Sequence, residues 1–158
     1  TLELPAADGS NGQALLTNGS GVLSFGAASA TTPVSDIIAI SAVDGATYSV
    51  SGLSFQPSLI VFQAFGGATV TTGSAYFASS HGFATGTGSN QKVMSSRVMD
   101  SPSAEYGVVT NTSYCYWINN YDGSMNFGSV TAIASDGFTV TAVTTYGTTA
   151  TLMYTAYP

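Results

Sequence analysis

Residues 135–144, SDGFTVTAVT, contain the pattern that decides the fold. Apolar and hydroxyl side chains alternate in this stretch, which is the period of a β-strand with one buried face. We predict that Phe138, Val140 and Ala142 point into a core and that the intervening threonines point outward. The Asp-Gly pair at 136–137 is a turn signal, since glycine accepts a positive φ. A strand entered through a tight turn is the expected unit of this chain.

Similar runs recur along most of the sequence. They are short, rich in Val, Ile, Thr, Tyr and Phe, and separated by Gly, Asn, Asp, Ser or Pro, which is typical of all-β domains. The run at 58–65 is apolar at both alternating sets of positions, which predicts a central strand buried on both sides. We therefore expect an antiparallel, jelly-roll-like β-sandwich. Its strands are predicted near 36–43, 46–51, 58–65, 74–85, 91–99, 113–120, 125–134, 137–144 and 149–157.

The composition excludes several classes of function. Only 6% of the 158 residues are charged, and the two cations, Lys92 and Arg97, leave a net charge of −6. Binding to nucleic acid needs Lys and Arg to neutralise phosphates, so nucleic acid is not an expected partner. The sequence has no continuous run of 18 apolar residues, so membrane insertion is not expected either. Ser and Thr, 43 in all, supply a polar surface of low charge instead.

Residues able to carry chemistry are few. Cys115 is the single cysteine, which predicts a small buried side chain, and His81 is the single histidine, expected in a polar loop or turn. One histidine cannot form a zinc cluster. The carboxylates Asp100, Glu105 and Asp122 lie in turn-like stretches, where acidic residues are common. We therefore expect no enzyme activity, no cofactor and no metal site.

The densest group of aromatic and amide residues is YCYWINNYD, residues 114–122. Aromatic faces can stack on sugar rings, and amide or carboxylate groups can pair with sugar hydroxyls. The alternative interpretation places Trp117 and one of the tyrosine faces in the core, because alternating aromatic residues are ordinary in strands. Arg97 could contact an acidic sugar, although a solvated strand face is expected for it. If a glycan site exists, its candidate residues are Trp117, Asn119, Asn120, Tyr121 and Asp122.

The first residues form a separate pattern. Strands near 13–17 and 21–25 flank the turn signal NGSG, and a small, polar stretch ending near Pro33 follows. This places a boundary between residues 1–34 and a domain of residues 35–158. A lone hairpin is marginally stable in water, so its apolar residues need a partner. That partner is either the chain's own domain or the same hairpin of other copies.

LPAADG at 4–9, GQALL at 12–16 and NGSGVLSF at 18–25 together resemble a short module of bacteriophage tail-fibre proteins. The resemblance implies a fibre shaft or neck that is homotrimeric and is held by other virion proteins upstream. In such a trimer the interface would be formed by Leu15, Leu16, Val22, Leu23 and Phe25.

A second resemblance covers most of the remaining chain. FQPSLIVF at 55–62, HGFATG at 81–86, SDGFTV at 135–140 and the final run LMYTAY at 152–157 are similar, in order and spacing, to a β domain of phage virion proteins. The two resemblances imply a fibre protein on the virion exterior whose tip binds a polysaccharide of the host surface. The alternative is a structural head fibre or capsid decoration protein without a receptor role.

Overall fold

The chain is described by a computed structural model at residues 3–11, 13–27, 32–66, 75–100, 106–119, 125–147 and 149–158. It divides into two compact units, Thr1–Ala30 and Thr31–Pro158. All regular structure in the described ranges is β, and no helix there is long and apolar enough to cross a bilayer. The strands are β1 (Gln13–Thr17), β2 (Leu23–Ala27), β3 (Val34–Ile40), β4 (Thr47–Val50), β5 (Leu59–Gly66), β6 (Ala75–Ala84), β7 (Gln91–Asp100), β8 (Tyr106–Asn111), β9 (Tyr116–Asn119), β10 (Met125–Ala134), β11 (Gly137–Thr144) and β12 (Ala150–Tyr157).

The first unit is an antiparallel hairpin of β1 and β2. Its turn is organised by Asn18, whose side-chain oxygen accepts hydrogen bonds from the backbone N–H groups of Ser20 at 2.8 Å and Val22 at 3.2 Å. Gly19 and Gly21 both have positive φ, at 77° and 93°. Because the turn extends to residue 22, β2 begins at Leu23, two residues after the predicted start at residue 21. Residues 28–31 of the predicted linker lie outside the described residues.

The second unit is an antiparallel β-sandwich, as the alternation predicts. One sheet has four strands in the order β4-β11-β10-β9, and the other has six in the order β3-β12-β5-β6-β7-β8. Strands β5 to β8 follow one another in the larger sheet and β9 to β11 in the smaller one, so each sheet contains a meander. Among the described strands, the chain therefore passes between the sheets at β3–β4, β4–β5, β8–β9 and β11–β12.

The core lies between the inner faces of these two sheets. Phe138 of β11 packs edge-on against Phe62 of β5, with ring centroids 6.0 Å apart, and against Tyr154 of β12, at 5.1 Å. Val140 and Ala142 are fully buried beside Phe138, which confirms the predicted inward face of β11. Burial of each large side chain of this kind contributes about 1.5–3 kcal/mol to the stability of the fold.

A buried amide also joins the two sheets. Gln91 of β7 is fully buried, its Nε2 donates to the Val130 carbonyl at 3.0 Å, and its Oε1 accepts from the Val130 N–H at 2.7 Å. Val130 is next to a bulge in the pairing of β10 with β11. The pairing of β10 with β9 ends at Gly128, and the Gln91 side chain from the opposite sheet satisfies the Val130 backbone groups two residues beyond it.

Two predictions about the strands are wrong. β8 was not predicted, because it is an edge strand paired only with β7 and contains Gly107, which weakens the strand pattern. β5 is central in its sheet but is buried on one side only. Ile60, Phe62 and Ala64 face the core, whereas Val61 is 36% exposed on the other side. Periodicity cannot separate a strand buried on both sides from one whose outer side is apolar but uncovered.

Candidate functional site

Strand β9 divides its aromatic residues between two sides. Tyr116 and Ile118 are buried in the core, whereas Trp117 and Asn119 are half-buried on the opposite side. This follows from strand alternation, which sends successive side chains to opposite faces. The interpretation that places an aromatic side chain of the 114–122 stretch in the core is therefore right for Tyr116. Trp117 is only half-buried and lies on the opposite side of the strand.

The free edge of β9 abuts the inner face of β6. The backbone N–H of Trp117 donates to the Ser80 hydroxyl at 3.2 Å. A side chain at Gly82 would overlap the carbonyl of Cys115, so glycine is required where the two strands meet. These contacts fix the position of β9 and with it the side chains on its outer side.

On that outer side, three rings form one group, which we call the aromatic cluster: Tyr114, Trp117 and Phe127. Trp117 and Phe127 are directly opposite in the β9–β10 register and stack at 4.6 Å with an interplanar angle of 15°. Tyr114 lies 4.6 Å from Phe127 and 5.5 Å from Trp117. All three rings are half-buried, so each keeps part of its surface available to a ligand.

Polar groups border the aromatic cluster. Asn119 follows Trp117 on the same side of β9, and its Oδ1 lies 3.5 Å from Nη1 of Arg97 on β7. The indole Nε1 of Trp117 is a buried donor with no hydrogen-bond partner among the described residues. A donor, an amide and a guanidinium thus lie close to a stacked aromatic surface. This combination suits a ligand with both an apolar face and hydroxyl groups.

The structure brings together two of the five residues predicted for a glycan site, Trp117 and Asn119. The other three, at 120–122, lie outside the described residues. Sequence analysis included Tyr114 in the 114–122 stretch but named neither Tyr114 nor Phe127 as a candidate residue, although both belong to the aromatic cluster. The signal for Phe127 was present, because a hairpin centred on residue 122 places residue 127 opposite residue 117.

The expected positions of two basic or titratable residues are wrong. Arg97 does not lie on a solvated strand face: it is half-buried and shares the side of β7 occupied by the buried Gln91, Val93 and Ser95. His81 is not in a loop but in the middle of β6, exposed on the outer side of the six-stranded sheet.

Cys115 is fully buried, as predicted, and its sulfur donates weakly to the Gly128 carbonyl at 3.4 Å. Burial raises the pKa of the thiol far above its ordinary value. A protonated, inaccessible thiol is a poor nucleophile. Of the candidate carboxylates, Glu105 and Asp122 lie outside the described residues, and the Asp100 side chain is also not among them. The described residues contain no group of three His, Cys, Asp or Glu side chains suited to a metal.

The hairpin presents the residues predicted for a trimer interface on both of its sides. Leu15 and Phe25 are cross-strand partners on one side, with Leu23 two residues from Phe25. Leu16 lies on the other side, opposite Ser24, and Val22 forms an isolated parallel bridge with Glu3 just before β2. The side chains of Leu15, Leu16, Val22 and Phe25 are between 36% and 49% exposed. The hairpin on its own therefore leaves much of its apolar surface in contact with water.

No protein-family model matches the chain, and no curated protein matches it. Among solved structures, the chain is similar to the Acinetobacter phage vB_ApiP_P1 tailspike protein, with 14% sequence identity and a TM-score of 0.32. The similarity covers 96% of this chain and 25% of the tailspike chain, so this chain spans about a quarter of that protein's length.

Proposed function

We propose that this chain is a fibre protein on the exterior of a bacteriophage virion and that its sandwich domain binds a polysaccharide of the host surface without chemical conversion. The observation that carries the glycan proposal is the aromatic cluster with Asn119 and Arg97 beside it. Stacked rings offer a flat apolar surface to the C–H face of a sugar, and the adjacent amide pairs with hydroxyls.

The low charge of the domain supports the same proposal. With two cations and a net charge of −6, the chain offers little electrostatic attraction to phosphate-rich partners. A neutral surface of hydroxyl groups is suited to many weak hydrogen bonds with a polysaccharide. Three copies per fibre convert a weak single-site affinity into strong attachment.

The homotrimer is proposed from the resemblance of residues 4–25 to the fibre module and from the exposed apolar residues of the hairpin. The first measurement is the mass of the full chain by light scattering. We expect three times 16.0 kDa for the wild type. We expect a lower mass for the double variant Leu15→Asp/Phe25→Asp, because the two charges lie next to each other on one side of the hairpin. A monomeric wild type would contradict the trimer.

The glycan site is tested by screening the full chain on an array of bacterial surface polysaccharides. Single-site affinity is then measured with the matching oligosaccharide. We expect Trp117→Ala to lower that affinity by about 10- to 100-fold, as loss of a central aromatic contact does in other interfaces. Thr139→Ala, on the outer side of the same sheet but away from the aromatic cluster, is the matched control. Equal affinity of the two variants would refute this site.

A second candidate function is structural, as a head fibre or capsid decoration protein. The observation that favours it is a row of exposed apolar side chains on the outer side of the six-stranded sheet, including Val61, Phe83 and Met94. Such a surface is suited to docking on another protein. Under this alternative, glycan arrays give no specific signal, and removal of the chain alters virion assembly or stability without affecting adsorption to the host.

A further inference from the structure

A depression on the outer side of the six-stranded sheet takes no part in the proposed glycan site. It lies over β6, β7 and the end of β8, and we call it the outer depression. Its volume is about 270 Å³. Pockets for drug-sized ligands enclose about 300–1,000 Å³, so this volume is suited to a single sugar ring of a longer chain. The residues that line it include His81, Phe83, Lys92, Met94, Thr110 and Thr112.

The strand register explains why these side chains converge. Phe83 of β6 is directly opposite Lys92 of β7, and His81 is directly opposite Met94. Since His81 and Phe83 are two residues apart in a strand, they share one side of the sheet. Phe83 is 41% exposed and Met94 is 52% exposed. The outer depression therefore offers an aromatic ring and a thioether to a ligand, with two basic side chains on the neighbouring positions.

The basic side chains of this chain are concentrated at the outer depression. The sequence contains two cations, Lys92 and Arg97, and the single histidine His81. Both Lys92 and His81 line the outer depression. They are diagonal neighbours on adjacent strands, so their backbones are about 7–8 Å apart and their side chains can reach one group between them. The lysine extends its ammonium beyond an apolar stem, and the imidazole donates from a ring N–H.

The described carboxylates of the second unit lie away from the outer depression. They are Asp36, Asp44 and Asp136, and none of the three lines it. Asp36 is on β3, three strands from β6, which is about 14 Å across the sheet. Asp100 ends β7, about 26 Å along the strand from Lys92. In a chain with a net charge of −6, the outer depression is therefore a local region that attracts an anionic group.

We propose that the outer depression is a second binding site and that its ligand is an anionic sugar unit. The C–H face of the sugar ring lies on Phe83, and its carboxylate or phosphate lies between Lys92 and His81. The exposed hydroxyls of Thr110 and Thr112 border the same site and pair with sugar hydroxyls. The inference goes beyond the proposed function, because it adds a site on the other sheet from the aromatic cluster and names the charge of its ligand.

The test begins with an array on which each acidic bacterial polysaccharide is printed beside its neutral derivative. Carboxylate-bearing polymers are paired with their carboxyl-reduced forms, and phosphate-bearing polymers with their dephosphorylated forms. We expect the full chain to prefer the acidic member of at least one pair, and the kind of pair identifies the anionic group. A soluble oligosaccharide of that polymer should bind about tenfold more tightly than its neutral derivative, which is the effect of one hydrogen bond to a charged group.

Variants of the full chain then locate the site, with circular dichroism confirming that each is folded. Lys92→Gln should lower the affinity for the acidic oligosaccharide about tenfold and leave the affinity for the neutral derivative unchanged. Phe83→Ala should lower both affinities about tenfold, because it removes the stacking surface. Tyr157→Ala is the matched control: Tyr157 is an aromatic residue of β12 with similar exposure, 37% against 41%, and it does not line the outer depression. It should change neither affinity.

The outcomes separate this inference from the proposed function. If Lys92→Gln and Phe83→Ala bind the acidic oligosaccharide as tightly as the wild type while Trp117→Ala does not, the second site is overturned and the aromatic cluster stands. The second site is also overturned if the chain binds glycans but prefers no acidic polymer over its neutral derivative. Absence of binding to every glycan would overturn both proposals. A preference for acidic ligands that Trp117→Ala retains and Lys92→Gln loses supports the second site.

Discussion

On the outer side of the four-stranded sheet, the Thr139 hydroxyl pairs with that of Ser49 at 3.1 Å, and Thr141 pairs with Thr131 at 2.9 Å. On the outer side of the six-stranded sheet, apolar residues such as Val61 and Met153 lie beside hydroxyl groups such as that of Thr155, which pairs with Ser35 at 2.8 Å. Both sheets bury the same kind of inner face. They differ in what they present outward, where folding makes no demand.

This difference separates the requirements of the fold from those of the function. The inner faces determine that a sandwich forms, because they remove apolar area from water. An outer face may be polar or apolar without changing that result. Hydroxyl pairs make the part of one face around Thr139 and Thr141 compatible with solvent, while exposed apolar side chains such as Val61 on the other face favour association.

The largest difference in stability is expected between substitutions on the inner and the outer side of β5. Phe62→Ala should lower the free energy of unfolding by about 3–5 kcal/mol, because it opens a cavity against Phe138. Val61→Ala should lower it by about 1 kcal/mol or less when the chains are dissociated. Urea unfolding followed by circular dichroism at several protein concentrations measures both. A cost for Val61→Ala that rises with protein concentration would show that copies cover this side.

The next-largest loss of stability is expected from Gln91, whose buried amide joins the two sheets. Gln91→Leu removes the hydrogen-bond partners that Gln91 provides to the N–H and carbonyl of Val130, so we expect a loss of about 2–4 kcal/mol. Lys92→Leu, next in sequence but exposed on the outer side, is the control and should change stability by about 0.5 kcal/mol at most. Thermal unfolding compares the two variants. Equal costs would mean that the two sides of β7 are equivalent in the folded chain.

The free energy of unfolding is expected to depend on pH through Cys115 and Tyr116, at the start of β9. Burial raises the pKa of the Tyr116 phenol above its ordinary 10.0 and that of the Cys115 thiol above its ordinary 9.0. The folded chain therefore retains these protons at pH values where the unfolded chain loses them. The stabilisation is complete below about pH 8 and declines by about 1–3 kcal/mol between about pH 9 and 11.

The variants Cys115→Ala and Tyr116→Phe identify the groups responsible for this decline. Cys115→Ala should make the free energy of unfolding less dependent on pH from about pH 9, and Tyr116→Phe from about pH 10. Tyr116→Phe also removes the hydrogen bond to the Asn126 side chain at 2.9 Å, which lowers stability at every pH. Urea titrations at intervals across this range provide the measurement. An unchanged slope in both variants would exclude these two groups as the cause.

The smallest change in stability is expected from exchanging the character of the two outer faces. Thr141→Val and Val61→Thr should each alter the free energy of unfolding by about 0.5–1 kcal/mol, since both sites lie outside the core. The hydrophobicity of the protein surface should rise in Thr141→Val and fall in Val61→Thr. Thr141→Val should bind more tightly to a hydrophobic-interaction column than the wild type, and Val61→Thr less tightly. Changes in the same direction would contradict the contrast between the faces.

Much of the strand pattern was predictable because alternation is a local property. β10 and β11 have the predicted bounds, and the turns at Asp44-Gly45 and Asp136-Gly137 occur where the Asp-Gly pairs indicate. β8 was missed because an edge strand with one neighbour needs little intrinsic preference to form. The position of Arg97 was wrong because its environment depends on β9, which is distant in sequence.

The candidate site was predictable only in part, because its geometry depends on contacts between strands that are distant in sequence. The composition of residues 114–122 indicated aromatic and amide groups suited to a sugar. It did not indicate that Tyr116 enters the core while Trp117 stacks on Phe127, since that depends on how the β9–β10 hairpin packs on β6. The exposed apolar residues on the outer side of the six-stranded sheet, such as Val61, were also not predictable, because exposed and buried valines have the same pattern in sequence.

The sequence alone determined an all-β chain with a separate N-terminal hairpin, a surface of low charge and a set of inward residues that repeats at a period of two. Side-chain alternation and turn chemistry act over a few residues, so they can be read directly. The tertiary structure decided which apolar side of β5 faces the core, which strand lies at each edge and which side chain satisfies the backbone of Val130. Those outcomes depend on pairing between segments that are far apart in the chain, and local pattern does not encode that pairing.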